Sequence, residues 1–326
     1  MLALVGCSDG DEADVAGSGD TASASASASA SGGGGPAGTG ATGGATTAGS
    51  GGGGSGAIGG SGGSEPGGWP GPDNTGVPPG TNLEPYDGPC TIQEDGVVID
   101  SKVVDCDLRL FGADIVIRKS KVNGTIYNEE NLDYAFTLED SEVDAGDAQQ
   151  PAVWHTNMTI VRSNIHGGQT SVSCWQNCTV EDSWLHGQQI TPGISQHLGA
   201  FLSNGGSGVV LTHNTIVCDS PGDGQDGGCS GDINLFGDFE PISDVTVTGN
   251  FLGANTGISY CIYGGEASSK PFPHADHVRF HDNVVERGEN GTCGGYGPVT
   301  SFDENGEGNE WSNNTWDDGT QLDPAN

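Results

Sequence analysis

Asn123, Asp144, His166 and His186 follow one another at intervals of 21, 22 and 20 residues. Histidine titrates near neutral pH, and a neighbouring carboxylate can orient its ring. If the backbone repeats at this interval, the four side chains stand one above another. They then form either an acid–base or metal arrangement centred on His166 and His186, or a hydrogen-bonded polar ladder at a turn. Gly167 and Gly187 follow the two histidines and suit a turn.

A second candidate is His197, at the head of the segment His197–Gly206, where the chain re-enters its repeat after an insertion. A third is the acidic group Asp219, Asp223, Asp226, Asp232, Asp238 and Glu240, with Glu266 further on. Paired carboxylates suit glycoside hydrolysis, so Asp232 and Asp238 join the expected catalytic set. Carboxylate oxygens also suit Ca2+, for which Asp223, Asp226 and Glu240 are the expected ligands. The segment lacks the full pattern of a calcium loop, and a solvated acidic loop is the plain alternative.

A fourth candidate concerns bases. Removing a proton beside a uronate carboxylate requires a base, with a cation to neutralise the acid. Lys270, Arg279 and Arg287 are the cations in the second half of the chain. Arg279 lies between Val278 and Phe280, so on a strand it points away from the core; a surface ion pair is the simpler use. Trp154, Trp184, Tyr260 and Tyr263, with Lys270 and Arg287, are the expected substrate contacts, although aromatic rings also serve packing. The chain contains no G-x-S-x-G, no phosphate-binding loop and no dinucleotide fingerprint.

One pattern positions these residues. Nine Ser or Asn centres (Ser101, Ser120, Ser141, Ser163, Ser183, Asn214, Asn250, Asn283 and Asn314) each have an apolar residue three positions before and another two positions after. Alternation with period two means strand. Each unit is therefore a strand, a polar bend and a second strand, and no unit carries a helical period. A short strand-only repeat stacked on copies of itself predicts a parallel coil with the Ser/Asn centres in one column. At such a bend these residues are structural. The first five units are minimal. The later ones carry insertions at 188–208, 220–243, 253–277 and 287–309, and insertions on one side of such a stack usually build its binding face.

The segments Asp238–Asn250 and Trp311–Asp318 resemble uncharacterised secreted bacterial β-helix proteins. More broadly, residues 90–318 resemble the right-handed parallel β-helix superfamily that includes pectate lyases. The resemblance implies an all-β, single-stranded right-handed parallel β-helix of about nine coils, preceded by a disordered tether. In such proteins a histidine at the place of His197 is often followed two residues later by Asp; here that position is Gly199.

Eight cysteines lie in this part of the chain, and eight allow 105 pairings. With the repeat as guide, sequential pairing is expected. Cys261 and Cys293 are one unit apart, Cys90–Cys106 and Cys218–Cys229 tie loops or junctions, and Cys174–Cys178 staples a turn.

The rest of the chain has a different character. Residues 17–80 are almost entirely Gly, Ser, Ala, Thr and Pro, too poor in apolar surface to offset the entropy of ordering. The expected organisation is a signal remnant at 1–7, a disordered linker at 8–82 and the β-helix domain at 83–326. Leu4-Val5-Gly6-Cys7 resembles a bacterial lipobox, which makes Cys7 a lipidation site and the protein a surface or extracellular lipoprotein. The anchor would be its one association with a membrane.

The formal charge is −35, from 44 acids and nine Lys or Arg. Such a balance repels nucleic acid. The expected partner is a polysaccharide or cell-surface glycan met by a monomer. The expected function is that of a polysaccharide lyase or glycoside hydrolase; the alternative is a non-catalytic glycan-binding or adhesion protein.

Overall fold

The computed structural model describes residues 68–131, 133–223, 227–255 and 257–324. Cys7, most of the tether and Asp226 lie outside them. The described residues are all strand, turn and loop, without helix.

Two sheets account for the strands, and every strand pairing within them is parallel. A ten-stranded sheet runs from Glu84–Pro85 to Thr315–Trp316, taking one strand from each repeat. Nine of its strands begin one residue after the nine Ser/Asn centres. A sixteen-stranded sheet forks into two branches. The first branch passes through Leu108–Leu110, Ile126–Asn128, His197–Ser203, Gly228–Leu235, Tyr260–Gly264 and Gly297–Thr300. The second passes through Ile115–Arg118, Phe136–Glu139, Gly206–Thr212, Ile242–Thr248, Ala275–His281 and Glu310–Ser312. The branches fuse at Val153–Val161 and Thr170–Glu181, where one long strand serves both. A chain that returns to the same sheets once per repeat, always in parallel, is compatible with a parallel β-helix.

The core is the enclosed stack of inward residues. On the ten-stranded sheet Val122, Val143, Ile165, Leu185, Ile216, Leu252 and Val285 are sealed from solvent. On the second branch Ile117, Leu138, Ile160, Val180, Leu211, Val247 and Phe280 are equally buried. The bend column is buried as well, and it forms a continuous spine. Ser120, Ser141, Ser163 and Ser183 accept backbone N–H groups from the preceding repeat at 3.0, 3.1, 3.4 and 3.0 Å. Asn214, Asn250, Asn283 and Asn314 do the same at 2.9, 2.9, 2.9 and 3.1 Å. A buried bend would otherwise leave these donors unpaired.

The first unit departs from the expected register by one residue. Val104 pairs with Val122 and Ile99 with Ile117. Ser101 therefore occupies the left-handed bend position (φ 58°) that Lys119 fills in the next unit. The inward residues are Ile99 and Val104, whereas Val98 is exposed. With a side-chain period of two, a slip of one residue exchanges the faces.

The four disulfides join Cys90–Cys106, Cys174–Cys178, Cys218–Cys229 and Cys261–Cys293, the sequential pairing expected from the repeat.

Residues 68–82, which composition assigned to the linker, lie against the ten-stranded sheet. Trp69 packs on His213 and Phe251, with ring centroids 5.6 Å apart in both cases. The Gly76 N–H donates to the Arg162 carbonyl at 2.9 Å. A Cβ on Gly76 would sit 3.2 Å from that of Asn164, and φ is +81°, so this close crossing favours glycine.

Candidate functional site

The expected site residues divide among four places. His166 and His186 are on the ten-stranded sheet. Asp144 pairs in register with both Asn123 and His166, as the spacing predicted, and the two histidine rings are 5.4 Å apart. His166 Nε2 lies 3.2 Å from Glu142 Oε1, and Lys121 reaches the same oxygen at 2.9 Å. The His166 hydrogen bond, helped by Lys121, draws the Glu142 carboxyl down to about 2. The His186 ring stacks on Trp184 at 3.4 Å and meets Asn164 Oδ1 at 2.8 Å. Burial first, and His166 second, push His186 down to about 3. His186 is thus neutral at ordinary pH and occupied by its neighbours, which is the ladder alternative. Trp184, expected to meet substrate, spends its ring face on His186.

Asp232 is in the interior. It is fully buried, and its Oδ1 accepts the Cys218 N–H at 2.8 Å. A register irregularity between Leu198 and Gly199, opposite Cys229 and Gly231, breaks the alternation, so Asp232 and Ile233 are both buried. Burial pushes its carboxyl well above the usual range. Beside it are Cys261 and Cys293, bonded to each other. Asp232, expected among the catalytic acids, is sealed in the interior and faces no surface that a glycan could reach.

Arg279 points outward, as its flanking residues predicted, but on the second branch, where it pairs in register with Thr246 and Glu310. Its Nε is 3.6 Å from Glu310 Oε1. Arg287 packs on Trp316 and pairs with Asp318 at 2.9 Å. Neither joins the other candidates. The second branch also carries a shallow depression of about 520 Å³, floored by Val116, Thr137, Thr159 and Thr179. It lies over the short repeats, and Asp114 is the one ionisable side chain in its lining.

The remaining candidates meet on the outer face of the first branch. Strand register draws one outward row across it: Arg109, Tyr127, Trp154, Ser173, Leu202, Asn234, Tyr263 and Thr300. At about 4.8 Å per strand, Trp154 and Tyr263 stand roughly 19 Å apart. At one end Tyr127 and Trp154 pack with centroids 4.4 Å apart, and His155 stands between them and Trp175. The Cys174–Cys178 disulfide staples the bulge that carries Trp175, whose Nε1–H donates to Glu240 Oε2 at 2.9 Å. At the other end Tyr263 packs against Phe236 and Tyr260, and Tyr260 against the exposed Tyr296. Lys270 lies 4.5 Å over the Phe236 ring and pairs with Asp238 at 3.1 Å. Between the ends is a small pocket of about 20 Å³, lined by His197, Gly199, Leu202, Asn234 and Phe236 among others.

Topology frames this row. The connections at 186–196, 217–227, 253–259 and 286–296 enter the first branch, and those at 236–241, 265–274 and 301–309 leave it. The insertions therefore border one strand face on both sides. Asp223 and Glu240, expected as Ca2+ ligands, sit in different connections. Asp223 Oδ1 accepts the Gly227 N–H, and Glu240 holds Trp175.

Sequence reasoning missed Tyr127, Ser173, Leu202 and Asn234. Asn234 matters most, because it explains Gly199. A Cβ on Gly199 would lie 2.4 Å from Asn234 Nδ2, so the amide fills the space that an acidic side chain two residues after His197 would need. Asn234 donates to the carbonyls of Phe201 and Gly231 at 3.2 and 2.9 Å. The in-register partner of an outward Trp was a readable signal for Tyr127, had strand pairing been known.

The chain matches no family model, no curated protein and no solved structure.

Proposed function

We propose that this chain is a right-handed parallel β-helix of about nine coils, of the pectate-lyase-like kind, exported and anchored through a lipid on Cys7. In this reading it is a monomer that holds an extended glycan along the outer face of the first branch. The observation that carries the proposal is the unbroken row from Tyr127 to Tyr263, aromatic at both ends and bordered by every long insertion. Aromatic side chains offer large, rigid contact area at low entropic cost. A row crossing successive parallel strands suits a linear polymer better than a compact ligand.

Binding without turnover is the better-supported form. The expected catalytic residues lie on three outer faces and in the interior, and the carboxylates at the row are engaged with Lys270 and Trp175. A lyase or hydrolase remains the second reading, favoured by His197 and Lys270 at the same face.

The test is incubation of the protein with a polysaccharide panel, following binding, ultraviolet absorbance of unsaturated products and new reducing ends. Binding without either product is expected. Trp154→Ala and Tyr263→Ala should each weaken binding about tenfold, equivalent to roughly 1.4 kcal/mol. Product formation would replace this reading with the enzymatic one, and normal binding by both variants would move the site elsewhere.

A further inference from the structure

Resting on the reading that the first-branch face holds a glycan, we infer that the glycan is uncharged. The face recognises a neutral, hydroxyl-bearing polysaccharide and rejects polyuronates and sulfated chains. Charge is the first argument. A chain of formal charge −35 repels polyanions, so an acidic glycan needs unpaired local cations. Among the described residues, the two Lys or Arg side chains at this face are both paired: Arg109 with Glu129 at 3.4 Å and Lys270 with Asp238 at 3.1 Å. Burial also lowers the His155 pKa, which disfavours a positive charge there.

Hydrogen-bond chemistry is the second argument. Trp154 Nε1 and Asn234 Oδ1 are buried in the row without a protein partner. One is a donor and the other an acceptor. A hydroxyl both donates and accepts, whereas a carboxylate or sulfate only accepts. A sugar hydroxyl can pair with either atom, whereas a carboxylate or sulfate can pair only with the Trp154 donor. Aromatic packing at each end adds contact that does not depend on ligand charge.

The experiment measures binding of the full chain to neutral polymers (xylan, glucomannan, mixed-linkage β-glucan) and acidic ones (polygalacturonate, alginate, chondroitin sulfate). Each is read at low and high salt, with Ca2+ and with chelator. Binding of a neutral polymer, with affinity changed less than twofold by salt, is expected, together with no retention of acidic polymers. Asp238→Asn releases Lys270 and should add salt-sensitive binding of polygalacturonate; no gain would overturn the claim that ion pairing is what excludes it. Salt-sensitive binding of an acidic polymer by the unaltered protein overturns the neutral assignment and leaves the glycan reading standing. No binding of either class removes both.

Discussion

From Ser120 to Ser183 the buried spine is made of hydroxyls; from Asn214 to Asn314 it is made of amides. The two halves solve one problem, a buried bend in every repeat, with different linkage. Each Ser hydroxyl donates within its own repeat, to the carbonyl two residues earlier: Arg118, Glu139, Val161 or Glu181. Its bond to the neighbouring repeat is the backbone N–H it accepts. Each Asn does more. Asn250 Oδ1 accepts both the N–H and the Nδ2–H of Asn214, and Asn250 Nδ2 donates back to the Leu211 carbonyl. Asn283 and Asn314 repeat the arrangement. The change from Ser to Asn falls where the repeats lengthen. Extending a loop by half adds only about 0.4 kcal/mol of closure entropy, and one extra hydrogen bond contributes about 1 kcal/mol. The amide half therefore more than offsets the loops that border the aromatic row.

That contrast can be broken most severely at its centre. Asn250→Ala strips partners from the Asn214 N–H, the Asn214 amide and the Leu211 carbonyl, and should cost about 5 kcal/mol, read as a lowered urea midpoint. If Asn250→Ser costs as much, the amide has no advantage over the hydroxyl. Next come the disulfides. Replacing Cys261 and Cys293 by Ala opens a 32-residue separation in the amide half, and replacing Cys174 and Cys178 opens one of 4 in the hydroxyl half. Loop entropy predicts losses of about 4 and about 2 kcal/mol, measured under identical oxidising conditions; equal losses would mean strain or local structure decides instead. Ser141→Ala, which leaves the Ser120 N–H unpaired, should cost about 2 kcal/mol.

The only gain is expected from Asp232→Asn. Burial raises the Asp232 pKa in the folded state. Its stabilising contribution is therefore whole below the unfolded pKa and falls as pH rises towards the folded one. Asn keeps the acceptor for the Cys218 N–H and cannot ionise. The variant should match the parent in acid and exceed it in melting temperature at neutral and alkaline pH. A parallel pair of pH curves would show that Asp232 does not titrate with unfolding.

The bend column was legible because Ser and Asn recur at one offset from apolar neighbours. Strand alternation, the outward turn of Arg279 and the stacking of Asp144 on His166 followed from the same spacing, and so did the cysteine pairs. The His166–His186 pair was legible as a column and opaque as chemistry: whether a stacked histidine is free depends on Trp184 and Asn164, which the repeat places beside it without saying how they point.

The sequence alone determined an all-strand repeat and its bends, because both are written in short-range periodicity. Tertiary structure decided the rest through register. One residue of slip at Ser101 turned Val98 out and Ile99 in. One irregularity opposite Leu198–Gly199 drew Asp232 into the core. Pairing between strands some 20 to 30 residues apart set Tyr127, Trp154, Asn234 and Tyr263 in a row that no local pattern announces. Side-chain period is local, but which strands lie beside each other, and in what register, is fixed only when the whole stack closes around its core.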